Sequence, residues 1–148
     1  MSSDPGTAAA ERIKDWFESL SVQTLETIDA VYASNAHFVD PFNDVRGVSA
    51  IRMIYAHMFE NLGRPRFLVT EVVEKNQRIF MSWQFSFTWR GRLFEVQGAT
   101  RFLINEHGLI DQHQDFWDPS KGIYEKLPII GGILRHLRRR MSAVAGQA

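Results

Sequence analysis

From Arg66 onward the apolar residues stop recurring at three- and four-residue steps and begin to alternate, and four strand candidates follow with no helix between them. They are separated by Lys75-Asn76-Gln77, Arg90-Gly91-Arg92 and Asn105-Glu106-His107-Gly108, short turns that favour an antiparallel meander. The second candidate, Ile79 to Trp89, alternates Met81, Trp83, Phe85, Phe87 and Trp89 with Ser82, Gln84, Ser86 and Thr88. One face is therefore aromatic and the other polar.

Before Arg66 the pattern is helical. Residues 1–6 read as a frayed lead-in, and Thr7 caps a helix with Ile13, Trp16, Phe17 and Leu20 on one side. Ser21 opens a second, short helix through Leu25, Ile28, Val31 and Tyr32, ended by Ala33-Ser34-Asn35. Ala36 to Pro41 reads as a short strand stopped by a proline that has no amide hydrogen for a ladder, which puts Asp40 at a strand end. Turn chemistry follows over Phe42 to Gly47, then a third helix, Val48 to Asn61, carries Ile51, Ile54, Tyr55, Met58 and Phe59 on one side. Helices first and a meander afterwards predict an α+β chain.

At 148 residues the chain has the length of one ordinary domain, and residues 1–148 are expected to form a single one. Seventeen basic and seventeen acidic residues balance, which argues against a nucleic-acid binder working through its overall field. From Pro119 onward, however, six Lys or Arg stand against one acid, so the tail is basic and the rest acidic. There is no cysteine, hence no disulfide, thiolate nucleophile or cysteine-based metal site. The first ten residues lack the basic and apolar segments of a secretory leader, and no apolar run reaches a membrane span, so a cytoplasmic protein is expected.

The last strand candidate bears most on function. Over Gly108 to Asp118, simple alternation puts Asp111, His113, Asp115 and Trp117 on one face and Ile110, Gln112, Gln114 and Phe116 on the other. Neither face is uniformly apolar, as a pure core strand would require. Two readings fit: the wall of a pocket, or a strand near a sheet end whose His113 and Asp115 satisfy each other.

The order of elements, together with Tyr32 to Pro41, the Gly47 to Arg52 opening of the third helix and Phe87 to Arg92, resembles the nuclear transport factor 2-like superfamily in its SnoaL-like and ketosteroid isomerase-like branch. The resemblance implies a cystatin-like α+β cone: a conical half-barrel in which a curved, mostly antiparallel sheet wraps the N-terminal helices over residues 7–118 and leaves a deep cavity. It also implies a homodimer through the outer sheet face. In ketosteroid isomerases the aspartate of the Asp-Pro segment is the general base, and Asp40 matches it. The family's first-helix tyrosine falls near Trp16 and Phe17 and its buried aspartic acid at Thr100, so the resemblance does not extend to the usual steroid isomerase mechanism. By the same alignment His113, Asp115 and Trp117 look into the cavity beside Trp83, Phe85 and Phe87.

A carboxylate among aromatic rings loses solvation in its charged form, which raises its pKa toward the range where it takes and gives protons. Asp40 and Asp115 both qualify, with His113 able to link them, so these three are the candidate catalytic set. Trp16, Tyr55, Trp83, Phe85, Phe87, Thr100 and Trp117 are the candidate substrate-binding set. Neither a metal nor a cofactor is expected: His113 and Asp115 are only two ligands, and His37 and His57 have no reason to join them. The expected ligand is a hydrophobic small molecule, an apolar carbonyl, lipid or polyketide-like compound, isomerised, cyclised or hydrated by proton transfer. A module that binds such a ligand or a protein without turnover is the alternative. Finally, Leu127 to Met141 combines Ile130, Ile133, Leu134, Leu137 and Met141 with Arg135, Arg138, Arg139 and Arg140 as a basic amphipathic helix. Its own domain, a partner subunit or an anionic membrane contacted peripherally through Ile129 to Met141 would each give it a surface to fold on.

Overall fold

A computed structural model describes residues 5–118; the expectations for the basic tail and its membrane contact fall on residues outside that range. The first helix, α1, runs over Pro5–Glu18. It begins two residues before Thr7, since a proline in the first turn lacks an amide that would have no helical partner there anyway. Its Ala9, Ala10, Ile13, Trp16 and Phe17 are buried, as the helical spacing requires. A 3-10 helix over Thr24–Ala30 follows and buries Leu25 and Ile28.

The chain then becomes extended earlier than the spacing suggested. Strand β1 covers Tyr32–Val39, not Ala36 onward, because Tyr32 pairs with Ile110 of the last strand in a parallel ladder. That long-range pairing overrides the local helical pattern that had placed Tyr32 on a helix. A three-residue strand β2, Asp44–Arg46, sits inside the stretch read as turn and pairs antiparallel with β1. Helix α2 has the expected bounds, Val48–Asn61, and buries Ile51, Ile54, Tyr55 and Met58.

Strands β3 (Gly63–Lys75), β4 (Arg78–Trp89), β5 (Arg92–Ile104) and β6 (Ile110–Trp117) form the meander. The sheet order is β2-β1-β6-β5-β4-β3, six strands with one parallel pair, β1 and β6. The helices pack on the inner face of this curved, unclosed sheet, which makes the chain an α+β cone. Irregularities in pairing near Thr70 and near Asp111 bend the strands locally.

The break near Asp111 corrects the simple alternation of β6. Ile104 pairs with Ile110 while Leu103 pairs with Gln112, so one extra residue is accommodated at Asp111. Ile110 is therefore buried in the core and Asp111 points to solvent, the reverse of their expected faces. Beyond the bulge the phase is as expected: His113 faces inward and Phe116 outward. Among the described residues no helix is long and apolar enough to cross a membrane.

Candidate functional site

The parallel pairing of β1 and β6 builds the site. Phe38 lies beside His113 and Val39 beside Gln114, and the residues that follow them, Asp40 and Asp115, both reach the inner side. Side chains from the first and last strands thus meet without either strand being adjacent to the other in sequence.

His113 is almost fully buried, at 3% exposure, with Phe38, Phe102 and Phe17 rings at 4.4, 5.0 and 5.9 Å. Both of its nitrogens are satisfied. Nε2 lies 2.7 Å from Asp115 Oδ1 and Nδ1 lies 2.7 Å from the Tyr32 hydroxyl. A carboxylate only accepts, so Nε2–H donates to Asp115, and in that tautomer Nδ1 accepts from Tyr32 O–H. Tyr32 in turn accepts from Tyr55 O–H at 2.8 Å. Burial holds both phenols protonated, pushing Tyr32 and Tyr55 well above the usual tyrosine range.

On its other side Asp115 Oδ1 accepts from Thr100 Oγ1, which itself accepts from the Trp83 indole N–H at 2.8 Å. The cross-strand register explains the contact, since Thr100 stands opposite Asp115 on β5. The result is one continuous chain of hydrogen bonds, Tyr55 to Tyr32 to His113 to Asp115, joined from the far side by Trp83 through Thr100. Its only ionisable carboxylate is at the centre.

Asp40 is fixed differently. Its Oδ1 accepts from the backbone N–H groups of Phe42 and Asn43, each at 2.7 Å, and Asn43 Nδ2 lies 3.1 Å from both oxygens. Burial raises its pKa above the ordinary carboxylate range; the two amides and the Asn43 side chain oppose the shift, and the nearby Asp115 charge adds to it. The turn-capping role of an Asp-Pro segment and an inward-facing acid coexist in this one residue.

Two adjoining cavities open between these groups. The outer one, about 90 Å³, is lined by Asp40 and Asp115 and otherwise by apolar or aromatic side chains, among them Tyr55, Trp83, Phe85, Phe87 and Trp117. The inner one, about 40 Å³, is lined by Thr100, His113 and Phe102 and shares Asp115, Tyr55 and Trp83 with the first. Trp16 lines neither: its indole N–H donates to Thr27 at 3.1 Å, and its ring stands edge-on to Tyr32 and Tyr55 from behind. Tyr32, Asn43 and the lining residues Phe38, Phe42 and Phe67 went unassigned in the sequence. A tyrosine at an apolar position always needs a partner for its hydroxyl, and that was the one available sign for Tyr32. Among the described residues no three His, Asp or Glu side chains converge as a metal set, and His37 and His57 pair instead with Asp44 and Glu60.

An α+β cone of this kind, with helices packed on a curved and unclosed sheet, is the fold this chain shares with nuclear transport factor 2-like proteins. Residues 13–113 match the family described as SnoaL-like domain, and the chain belongs to that family. None of the curated proteins compared with it matches. Three solved structures are similar in fold. A candidate SnoaL-like polyketide cyclase from Jannaschia sp. CCS1 is 14% identical with a TM-score of 0.69, covering 97% of each chain. An LEH-like epoxide hydrolase from M. tuberculosis is 15% identical with a TM-score of 0.68, covering 92% of this chain and 96% of that one. An NTF2-like protein of unknown function from Exiguobacterium sp. 255-15 is 16% identical with a TM-score of 0.65, covering 74% and 98%. At these identities the likeness is one of fold.

Proposed function

We propose that the chain is a cofactor-independent acid–base enzyme that moves a proton on an apolar carbonyl, lipid or polyketide-like small molecule. One observation carries this reading: two carboxyl groups, Asp40 and Asp115, line a single cavity whose remaining walls are almost entirely apolar. Such surroundings strengthen electrostatic contacts with the reacting atoms and keep competing water away. Asp40, its pKa raised by burial, is the member suited to carry a proton to the substrate oxygen. Asp115, anchored at Oδ1 by His113 and Thr100, is the base for the adjacent C–H, and His113 links it to the buried hydroxyls of Tyr32 and Tyr55.

The test is proton exchange in deuterium oxide with acetophenone as the probe, following loss of its methyl proton signal. The wild-type chain is expected to exchange these protons above the solvent rate, and Asp40→Asn and Asp115→Asn each to slow exchange by about 10²–10⁴-fold with affinity little changed. Acetophenone bound without any exchange would end the catalytic reading. It would favour the second one, a module that holds a hydrophobic ligand without turnover. That alternative has its own support, since the hydroxyl, imidazole and indole hydrogens of Tyr55, Tyr32, His113, Thr100 and Trp83 are all engaged with one another.

A further inference from the structure

The polar inventory of the outer cavity narrows the ligand, on the reading above that this cavity is the working site. Tyr55 and Trp83, which line it, give their hydrogens to Tyr32 and Thr100; behind them Tyr32 gives its hydrogen to His113, and His113 and Thr100 give theirs to Asp115. What remains open is short. Asp115 has both of its hydrogen bonds on Oδ1; among the described residues Oδ2 has none, and the side chain keeps 16% exposure where it lines the cavity. Asp40 Oδ2 takes one 3.1 Å contact from Asn43 and has capacity for a second. The indole N–H of Trp117, which also lines the cavity, has no hydrogen-bond partner among the described residues.

A bare ketone offers acceptors alone. It would leave Asp115 Oδ2 desolvated with nothing to accept, a loss that a ligand hydroxyl would remove. An alcohol oxygen accepts as well as donates, so the open carboxylate oxygen calls for a ligand hydroxyl, while the carbonyl follows from the proton transfer proposed above, with the Trp117 N–H as the donor left for it. We propose that the ligand of this cavity is a hydroxylated ketone, an apolar body bearing a carbonyl that accepts from Trp117 and a neighbouring hydroxyl that donates to Asp115 Oδ2. The volume agrees with that division: about 90 Å³ is less than the roughly 150 Å³ of an apolar cavity that encloses benzene. The polar end of such a ligand fits inside, between the acids, and its body extends to the rim formed by Phe42, Phe85 and Trp117, which are all part-exposed.

Three probes separate the possibilities on the unmodified chain: α-hydroxyacetophenone, its α-methoxy ether and acetophenone, with dissociation constants measured by calorimetry or ligand-observed NMR. The hydroxyl compound is expected to bind about tenfold or more tightly than either of the others, because only it supplies a donor. Asp115→Asn is expected to shrink that preference to within about twofold, and Trp117→Phe to weaken all three in similar proportion. Acetophenone binding as tightly as the hydroxyl compound to the wild-type chain would overturn the proposal, and so would a preference that survives Asp115→Asn. Affinity and exchange fail separately: exchange of acetophenone without any hydroxyl preference leaves the enzyme and removes this ligand class, while the preference without exchange leaves the ligand class and removes the enzyme.

Discussion

Asp40 carries two tasks in one side chain. Oδ1 closes the turn by accepting from Phe42 and Asn43, Oδ2 takes one longer contact from Asn43 and the side chain lines the cavity, so Asn at this position keeps the turn acceptor and removes the titration. Burial raises the folded-state pKa, which means the native state binds a proton that the unfolded chain has already released. The slope of unfolding free energy with pH follows protons bound unfolded minus native, and here that is negative. Stability from this group is thus fully present below the ordinary aspartate value of about 3.9 and is lost as pH rises through the higher folded value. Urea denaturation of the wild-type chain and of Asp40→Asn should show the wild type losing ground to the variant over that interval and a constant difference above it. A wild-type advantage that grows with pH there would mean the carboxyl is stabilised as an anion in the fold. His113 and Asp115 were legible in the sequence because strand alternation alone puts them on one face. Tyr32, whose hydroxyl meets His113 Nδ1, was not, because its helical spacing to Leu25 and Ile28 hid a strand start that only Ile110 could reveal.

At the level of elements, β5 is shaped by what it lacks. Gly98 lies in register between Trp83 on β4 and Trp117 on β6, and a Cβ there would come within 2.5 Å of the Trp83 ring and 2.8 Å of the Trp117 Cβ. The missing side chain lets the Trp83 indole cross the strand and reach Thr100, two residues further along, from where Asp115 is held. Gly98→Ala is therefore expected to displace Trp83, cost about 1–3 kcal/mol of stability through overpacking and change the tryptophan emission of the folded chain. Unchanged emission and stability would mean that the strands spread without cost. The same neighbourhood shows where sequence reading reaches its limit. The aromatic face of β4 followed from period-two alternation, and α2 from its apolar spacing between Gly47 and Leu62. A bulge such as the one at Asp111 leaves the composition untouched and reverses the faces before it, so Ile110 and Asp111 could be placed only by the partner strand.

For the molecule as a whole, the α+β class and the helix-then-meander order could be read from periodicity, because that pattern is local. The cone's working geometry could not, since it rests on a parallel β1–β6 pair that joins the two ends of the fold. The outer face of the sheet carries the remaining consequence. Val73 stands opposite Phe80, at 60% and 45% exposure, Phe116 stands opposite Ala99 at 50%, and Leu68 and Leu93 add 49% and 58%. Large apolar side chains gathered on one face of a sheet mark a surface that another molecule covers. A second copy related by a two-fold axis would bring this face onto itself, the self-complementary arrangement that closes without leaving the patch exposed. The chain is accordingly expected to sediment as a dimer at micromolar concentration, and Phe80→Asp combined with Phe116→Asp to give a folded monomer whose pocket still binds acetophenone. A wild-type chain that sediments as a monomer, or a doubly substituted one that remains a dimer, would move the interface elsewhere and leave the outer face to a different partner.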